Sequence, residues 1–144
     1  MTDAKNKLQG LLMAYIQENN PDLLLQLEED DALHAWVLEK IREVEMVLKQ
    51  AKPSYIIESE CMDAMTMDLK PSKFNYIRDL FEEEFADQYT LAMQSGILRY
   101  EVINMIAACD HVFREMPLTE ESMNDRHLEY MVTGVISDYL QRGE

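Results

Sequence analysis

Three histidines, two cysteines and a run of carboxylates are the residues in this chain that could carry chemistry. None of His34, His111 and His127 has a glutamate three positions before it, so the Glu-x-x-His ligand pairs of a carboxylate-bridged di-iron bundle are missing. His111 and His127 fall away from, or to the flank of, the apolar stripes around them and read as solvated imidazoles, because a metal site needs convergent ligands that this spacing does not supply. Cys61 and Cys109 each lie inside an apolar stripe, which suits a small buried hydrophobe better than a nucleophile. His111 follows Cys109 by two residues and therefore points to another side of the same helix, out of reach as its base. With no C-x-x-C pair and no secretory leader, both cysteines are expected as free thiols in a reducing, cytoplasmic compartment. No catalytic, metal or cofactor-binding residue is expected from these patterns.

Two charges interrupt the apolar periodicity. If the helix carrying Ile77, Phe81 and Phe85 runs straight, Glu84 lands among them, and Lys40 falls between Leu33, Val37 and Val44 in the same way. A buried carboxylate without a partner costs several kcal/mol or takes up a proton. The expectation is therefore a buried ion pair between Glu84 and Lys40 or an arginine. A bend near Ala86, releasing Glu84 to water, is the alternative. Asp79, Glu82, Glu83 and Asp87 form an acidic face on that helix, either a wetted surface or an interaction face.

The chain of 144 residues carries 28 acidic against 13 basic side chains, a formal charge of −15. There is no basic stripe, so direct binding to nucleic acid, whose affinity comes from lysine and arginine on phosphates, is disfavoured. The sign of the field fits a basic protein partner, or imitation of the DNA backbone to occupy a DNA-binding protein. No phosphate loop, dinucleotide fingerprint, nucleophile elbow or metalloprotease helix occurs, and four glycines leave little material for a ligand-cradling loop. The eleven methionines are many, and a thioether-rich face can serve a forgiving peptide groove, although Met105, Met116 and Met131 already sit at core spacing. No apolar run approaches the ~20 residues of a membrane span.

The elements follow from punctuation and period. Pro21, Pro53, Pro71 and Pro117 each separate stretches of helical periodicity, and no segment alternates as a strand would. The pattern predicts an all-α fold of about six amphipathic helices, one domain over 1–144 or two helical sub-bundles. The helices are expected over 5–18, from just after Asp30-Asp31 up to the stop at Lys52-Pro53 following a short turn at Pro21, from Ser54 past Met65, from Ser72 to Met93, over Leu98–Met116, and over 124–141. Ser95-Gly96 offers the left-handed exit that glycine permits. No internal repeat is visible in the sequence.

Tyr15-Ile16 with Asn20-Pro21-Asp22-Leu23, Leu69 with Ser72-Lys73-Phe74, Glu84-Phe85-Ala86, and Cys109-x-x-Val112-Phe113 followed by Pro117-Leu118 together resemble a bacterial family. It is the domain-of-unknown-function family numbered 1896, found in Bacteroidetes and often near mobile conjugative elements. The resemblance implies an all-helical cytoplasmic protein with no assigned activity, so no site residue is carried over. The chain departs from the family pattern at Lys49-Gln50-Ala51-Lys52-Pro53-Ser54, where the family has an Ala-Phe and a glycine-containing turn.

Three readings follow. The leading one is a non-enzymatic accessory protein that binds a protein partner through an acidic or methionine-bearing helical surface, with no cofactor and with homo-oligomerisation left open. The second is a DNA-mimicking antagonist, which requires carboxylates spaced like phosphates along one face. The third is a small helical hydrolase or metal enzyme using convergent carboxylates, which requires a pocket around Glu84 or a histidine.

Overall fold

Apolar residues recurring every three to four positions, with few glycines and prolines placed only at breaks, leave the backbone one economical way to satisfy its hydrogen bonds while burying a stripe. In the computed structural model, which describes residues 2–142, every regular element among those residues is helical. Residues up to Lys70 form one compact unit and those from Pro71 another. The first holds α1 (Thr2–Asn19), α2 (Pro21–Glu29), α3 (Leu33–Glu43), α4 (Glu45–Leu48) and α5 (Ser54–Thr66), closed by a 3-10 turn at Met67–Leu69. The second holds α6 (Lys73–Glu84), α7 (Ala86–Gln94), α8 (Leu98–Ala108), α9 (Asp110–Glu115) and α10 (Arg126–Arg142).

Three of the expected helices are shorter than the periodicity implies. The second stops at Glu43 and resumes after Val44, the fourth breaks at Phe85, and the fifth breaks at Cys109. None of these breaks has a proline or glycine to announce it. Val44 and Cys109 are buried, and Phe85 packs against the core, so tertiary packing rather than local propensity places the corners.

The breaks reveal a duplication. Asn20 leaves the helical region at φ −139°, ψ 52°, and Phe85 at φ −136°, ψ 54°, 65 positions later. Asp31 adopts φ 54° and Gly96 φ 75°, again 65 positions apart. At both places the same left-handed helix exit forms: Ala32 N–H donates to the Leu27 carbonyl at 2.8 Å, and Ile97 N–H to the Ala92 carbonyl at 3.0 Å. Val44 and Cys109 keep the register, each starting a short helix after one of the same length as its counterpart. In the first unit α1 packs on α2, α3 and α5, and α3 on α2, α4 and α5; in the second α6 packs on α7, α8 and α10, and α8 on α7, α9 and α10. Before the last helix the second unit has the longer connection, and the register moves to 71, pairing buried Cys61 with Val132 and Met65 with Ile136. The two units are thus one five-helix plan built twice.

Each unit has its own core. Leu8, Leu12, Val37, Ile41, Val44, Cys61 and Met65 fill the first. Ile77, Phe81, Val102, Met105, Cys109, Leu128, Val132 and Ile136 lead the second. Full burial of each such side chain contributes about 1.5–3 kcal/mol. Leu12 and Ile77, Ile16 and Phe81, Val37 and Val102, and Val44 and Cys109 are buried at equivalent positions, so the plan preserves which positions face inward and little else.

The helix starts are capped by ordinary means. Ser72 Oγ accepts the Asn75 N–H at 3.0 Å to open α6, and Asp125 Oδ1 accepts the His127 and Leu128 N–H groups at 2.7 and 3.2 Å to open α10. These two caps set where α6 and α10 begin, and so position the side chains that the two helices present to each other.

Candidate functional site

Lys40 projects from α3 and is buried, only 8% exposed. Its ammonium lies 2.9 Å and 3.0 Å from the two carboxylate oxygens of Asp68 on the 3-10 turn, 3.8 Å from Glu43, and 5.7 Å above the Trp36 ring. The expected Glu84–Lys40 pair is therefore corrected. Lys40 takes its carboxylate from Asp68, and Glu84 is exposed at the end of α6, where the break at Phe85 frees it to water. The bend considered near Ala86 occurs one residue earlier. Asp68 is itself largely solvated, which makes this cluster a way of housing a lysine stem rather than a reactive centre.

The acidic face divides. Asp79, Glu82, Glu83 and Asp87 are all exposed, but they do not act as one surface. Asp79 and Glu83, one turn apart on α6, border a hollow of about 360 Å³ whose other side carries Glu129 of α10. Tyr76, Leu80 and Met123 supply its apolar lining, and Pro71, Ser72 and Asn75 close one end. Burial and the charge of Glu82 raise the Tyr89 phenol above its usual value, while Asp87 lies in the first turn of α7, where a negative charge is favourable. Tyr76 sets its ring edge-on to Phe113 at 6.3 Å. Burial, helped by the nearby carboxylates of Glu129 and Asp125, pushes its hydroxyl up to about 12, and that oxygen has no hydrogen-bond partner.

Charge compensation differs between the units. The first pairs Lys5 with Glu45, Lys7 with Glu58, Lys40 with Asp68 and Glu43, Arg42 with Glu39, and Lys52 with Glu60. In the second, Arg78 reaches Asp79 at 3.4 Å and Arg114 pairs with Asp110. Among the described residues no cation pairs with Glu82, Glu83, Glu84 or Glu129, so the α6–α10 side keeps its negative charge.

A second, more apolar hollow of about 650 Å³ lies in the same unit, lined by Phe81, Leu91, Ala92, Ile97, Tyr139 and Leu140 with Gln88, Glu101 and Arg142 at its edge. Leu91 is 63% exposed there. Tyr139 accepts a hydrogen bond from Asn104 at 3.3 Å.

His34, His111 and His127 are exposed, and among the described residues no group of three His, Cys, Asp or Glu side chains is placed to hold a metal ion. No helix of the described residues is long and apolar enough to cross a membrane. Cys61 and Cys109 are free and buried, as their stripe positions imply. Burial pushes the Cys109 thiol up to about 12, and burial with the Glu60 charge raises Cys61. Both thiols are accordingly expected to resist a colorimetric disulfide reagent at pH near 8 in the native protein and to react fully once it is unfolded. Rapid native labelling of either would contradict their placement.

Sequence reasoning named Asp79 and Glu83 but missed Tyr76, Met123 and Glu129. Their grouping depends on how α6 packs on α10, which no local signal encodes; the cap signatures at Ser72 and Asp125 are the nearest clue. Comparison of the chain with protein-family models, curated proteins and solved structures finds no match.

Proposed function

We propose that this chain is a non-enzymatic accessory protein that binds a basic protein partner through the acidic α6–α10 side of its second unit. The observation that supports this reading is the uneven compensation of charge. Both units are acidic, yet in the first Lys5, Lys7, Lys40 and Lys52 are each held by one of its own carboxylates, while Glu83 and Glu129 beside the hollow of the second have no cation among the described residues. Uncompensated carboxylates beside a partly apolar hollow steer and then hold a surface rich in lysine or arginine. Isolated carboxylates scattered on a wet surface would contribute far less.

The test is affinity capture from the native host at low and high ionic strength. The comparison is a variant carrying Asp79→Asn, Glu82→Gln, Glu83→Gln and Glu129→Gln. A basic protein retained by the parent at low salt, released by high salt and lost from the variant is the expected result. If that protein is a DNA-binding protein and duplex DNA displaces it competitively, the antagonist reading takes precedence. A variant that retains every protein the parent retains overturns the proposal.

A further inference from the structure

The turn from α7 to α8 repeats the turn from α2 to α3 bond for bond. In the first unit the N–H groups of Asp30, Asp31, Ala32 and Trp36 donate to the carbonyls of Gln26, Glu28, Leu27 and Ala32; in the second those of Ser95, Gly96, Ile97 and Glu101 donate to Leu91, Met93, Ala92 and Ile97, each 65 positions on. With the backbone the same, the side chains differ sharply. The first turn is wet and acidic, with Glu28, Glu29, Asp30 and Asp31 all exposed. The second has no carboxylate from Gln88 to Tyr100. Leu91, Met93, Ile97 and Tyr100 stand where the first unit has Gln26, Glu28, Ala32 and Ala35, and they are 63%, 52%, 44% and 65% exposed. The first unit makes the corner without such residues, so the fold does not require their apolar surface. Exposed apolar side chains gathered on one side mark a surface that another molecule covers.

We propose that this face is covered by a second copy of the chain, the two related by a two-fold axis. A recess and a projection lie side by side on it. The recess is the hollow of about 650 Å³ bordered by α7, α8 and the end of α10, with Leu91, Ile97 and Tyr139 on its wall. The projection is Tyr100. It sits on α8 one turn before Asn104, whose amide donates to the Tyr139 hydroxyl, and so stands at the rim of that hollow. A two-fold contact brings the same patch of both subunits together, so a surface with both an exposed ring and a recess to receive one is complementary to itself. The charges agree with this. Arg142 at the edge of the hollow and Arg99 beside Tyr100 pair with no carboxylate among the described residues, while Glu101 and Asp87 supply acid nearby. On a chain of charge −15 this is the side that another such chain approaches with least repulsion, and either arginine can meet Asp87 or Glu101 of the other copy. The contact uses none of Asp79, Glu83 and Glu129, so it is independent of the basic-partner reading.

The test is sedimentation velocity of the purified full chain over a range of concentrations, in low and in high salt. A concentration-dependent passage from one chain mass to two is expected, and it should strengthen as salt rises, because screening relieves the repulsion between two chains of charge −15 and leaves the burial of apolar surface in place. Salt weakens the capture of a basic partner, so the two contacts respond with opposite sign. Leu91→Gln and Tyr100→Ala install the residues that the first unit uses at these positions, and each should weaken the dimer about a hundredfold, a tenfold loss counted once in each copy. Tyr55→Ala removes a comparably exposed ring from the first unit and should change the dimer by less than about twofold. All three variants are expected to keep the parent's helical circular dichroism signal. A dimer that Leu91→Gln and Tyr100→Ala leave intact, that Tyr55→Ala weakens as much, or that dissociates as salt rises overturns this contact. A single chain mass at about 1 mM, where even millimolar association would be half formed, overturns self-association altogether. If a synthetic amphipathic helix then shifts the amide signals of Leu91 and Tyr100 in that monomer, the face belongs to a different protein.

Discussion

Replacing Met105 by lysine is expected to destabilise the second unit by about 3–5 kcal/mol, the cost of leaving a buried charge uncompensated. The first unit has a lysine at the equivalent position, so the substitution asks what makes Lys40 tolerable. Lys40 reaches Asp68 on a 3-10 turn that follows α5, and its ammonium is held by both oxygens of that carboxylate. The position equivalent to Asp68 in the second unit is Tyr139, within α10, which continues as a helix and bonds Asn104. A lysine at 105 would meet a phenol where Lys40 meets a carboxylate, and Met105 is fully enclosed. The reverse change, Lys40→Met, should cost less than about 1.5 kcal/mol, because it replaces a costly buried cation by an apolar side chain of similar length. Urea denaturation of both variants followed by circular dichroism measures the contrast. A loss for Lys40→Met equal to that for Met105→Lys would show that the two positions are not equivalent.

Truncating Phe81 to alanine is expected to remove about 3–5 kcal/mol, the usual range for a buried aromatic. The ring is 1% exposed and meets Tyr89 edge-on at 5.6 Å across the break between α6 and α7. Its loss leaves a cavity and removes the contact that ties α7 to α6 beyond Phe85. Domains of this size have only about 5–15 kcal/mol in total, so the second unit should lose a large share of its stability. The protein has one tryptophan, Trp36 on α3, so its fluorescence follows the first unit, while far-ultraviolet circular dichroism follows both. The expected signature is a dichroism transition shifted to lower urea and ahead of the fluorescence transition. A midpoint unchanged within error would mean that Phe81 is not a packing centre.

Fold class was legible because the apolar residues recur at the helical period and because Pro21 opens a helix while Pro53, Pro71 and Pro117 fall between helices. The breaks at Val44, Phe85 and Cys109 were not, since each depends on packing and carries no helix-breaking residue. That omission explains the mistaken partner for Lys40: a helix drawn straight through Phe85 puts Glu84 among apolar neighbours, and a broken one puts it in water. The duplication is hidden in the sequence for a related reason. Asp31 and Gly96 perform the same left-handed turn with different side chains, Asn20-Pro21 and Phe85-Ala86 make the same corner, and equivalent core positions share only their greasiness. Of the acidic site, the α6 carboxylates could be read from spacing, whereas Glu129 entered only when α10 was laid against them.

Lys40 also bears on how the chain sorts itself as it folds. A polypeptide that builds one scaffold twice risks exchanging segments between the halves, a common failure of repeated architectures. Inserted into the second half in place of α8, α3 would bring a cation into an oily interior where Tyr139 stands in the place of Asp68, and α8 inserted in the first would leave Asp68 idle. The mismatch penalises the wrong assembly and leaves the right one untouched, so a single polar residue acts as proofreading between twins.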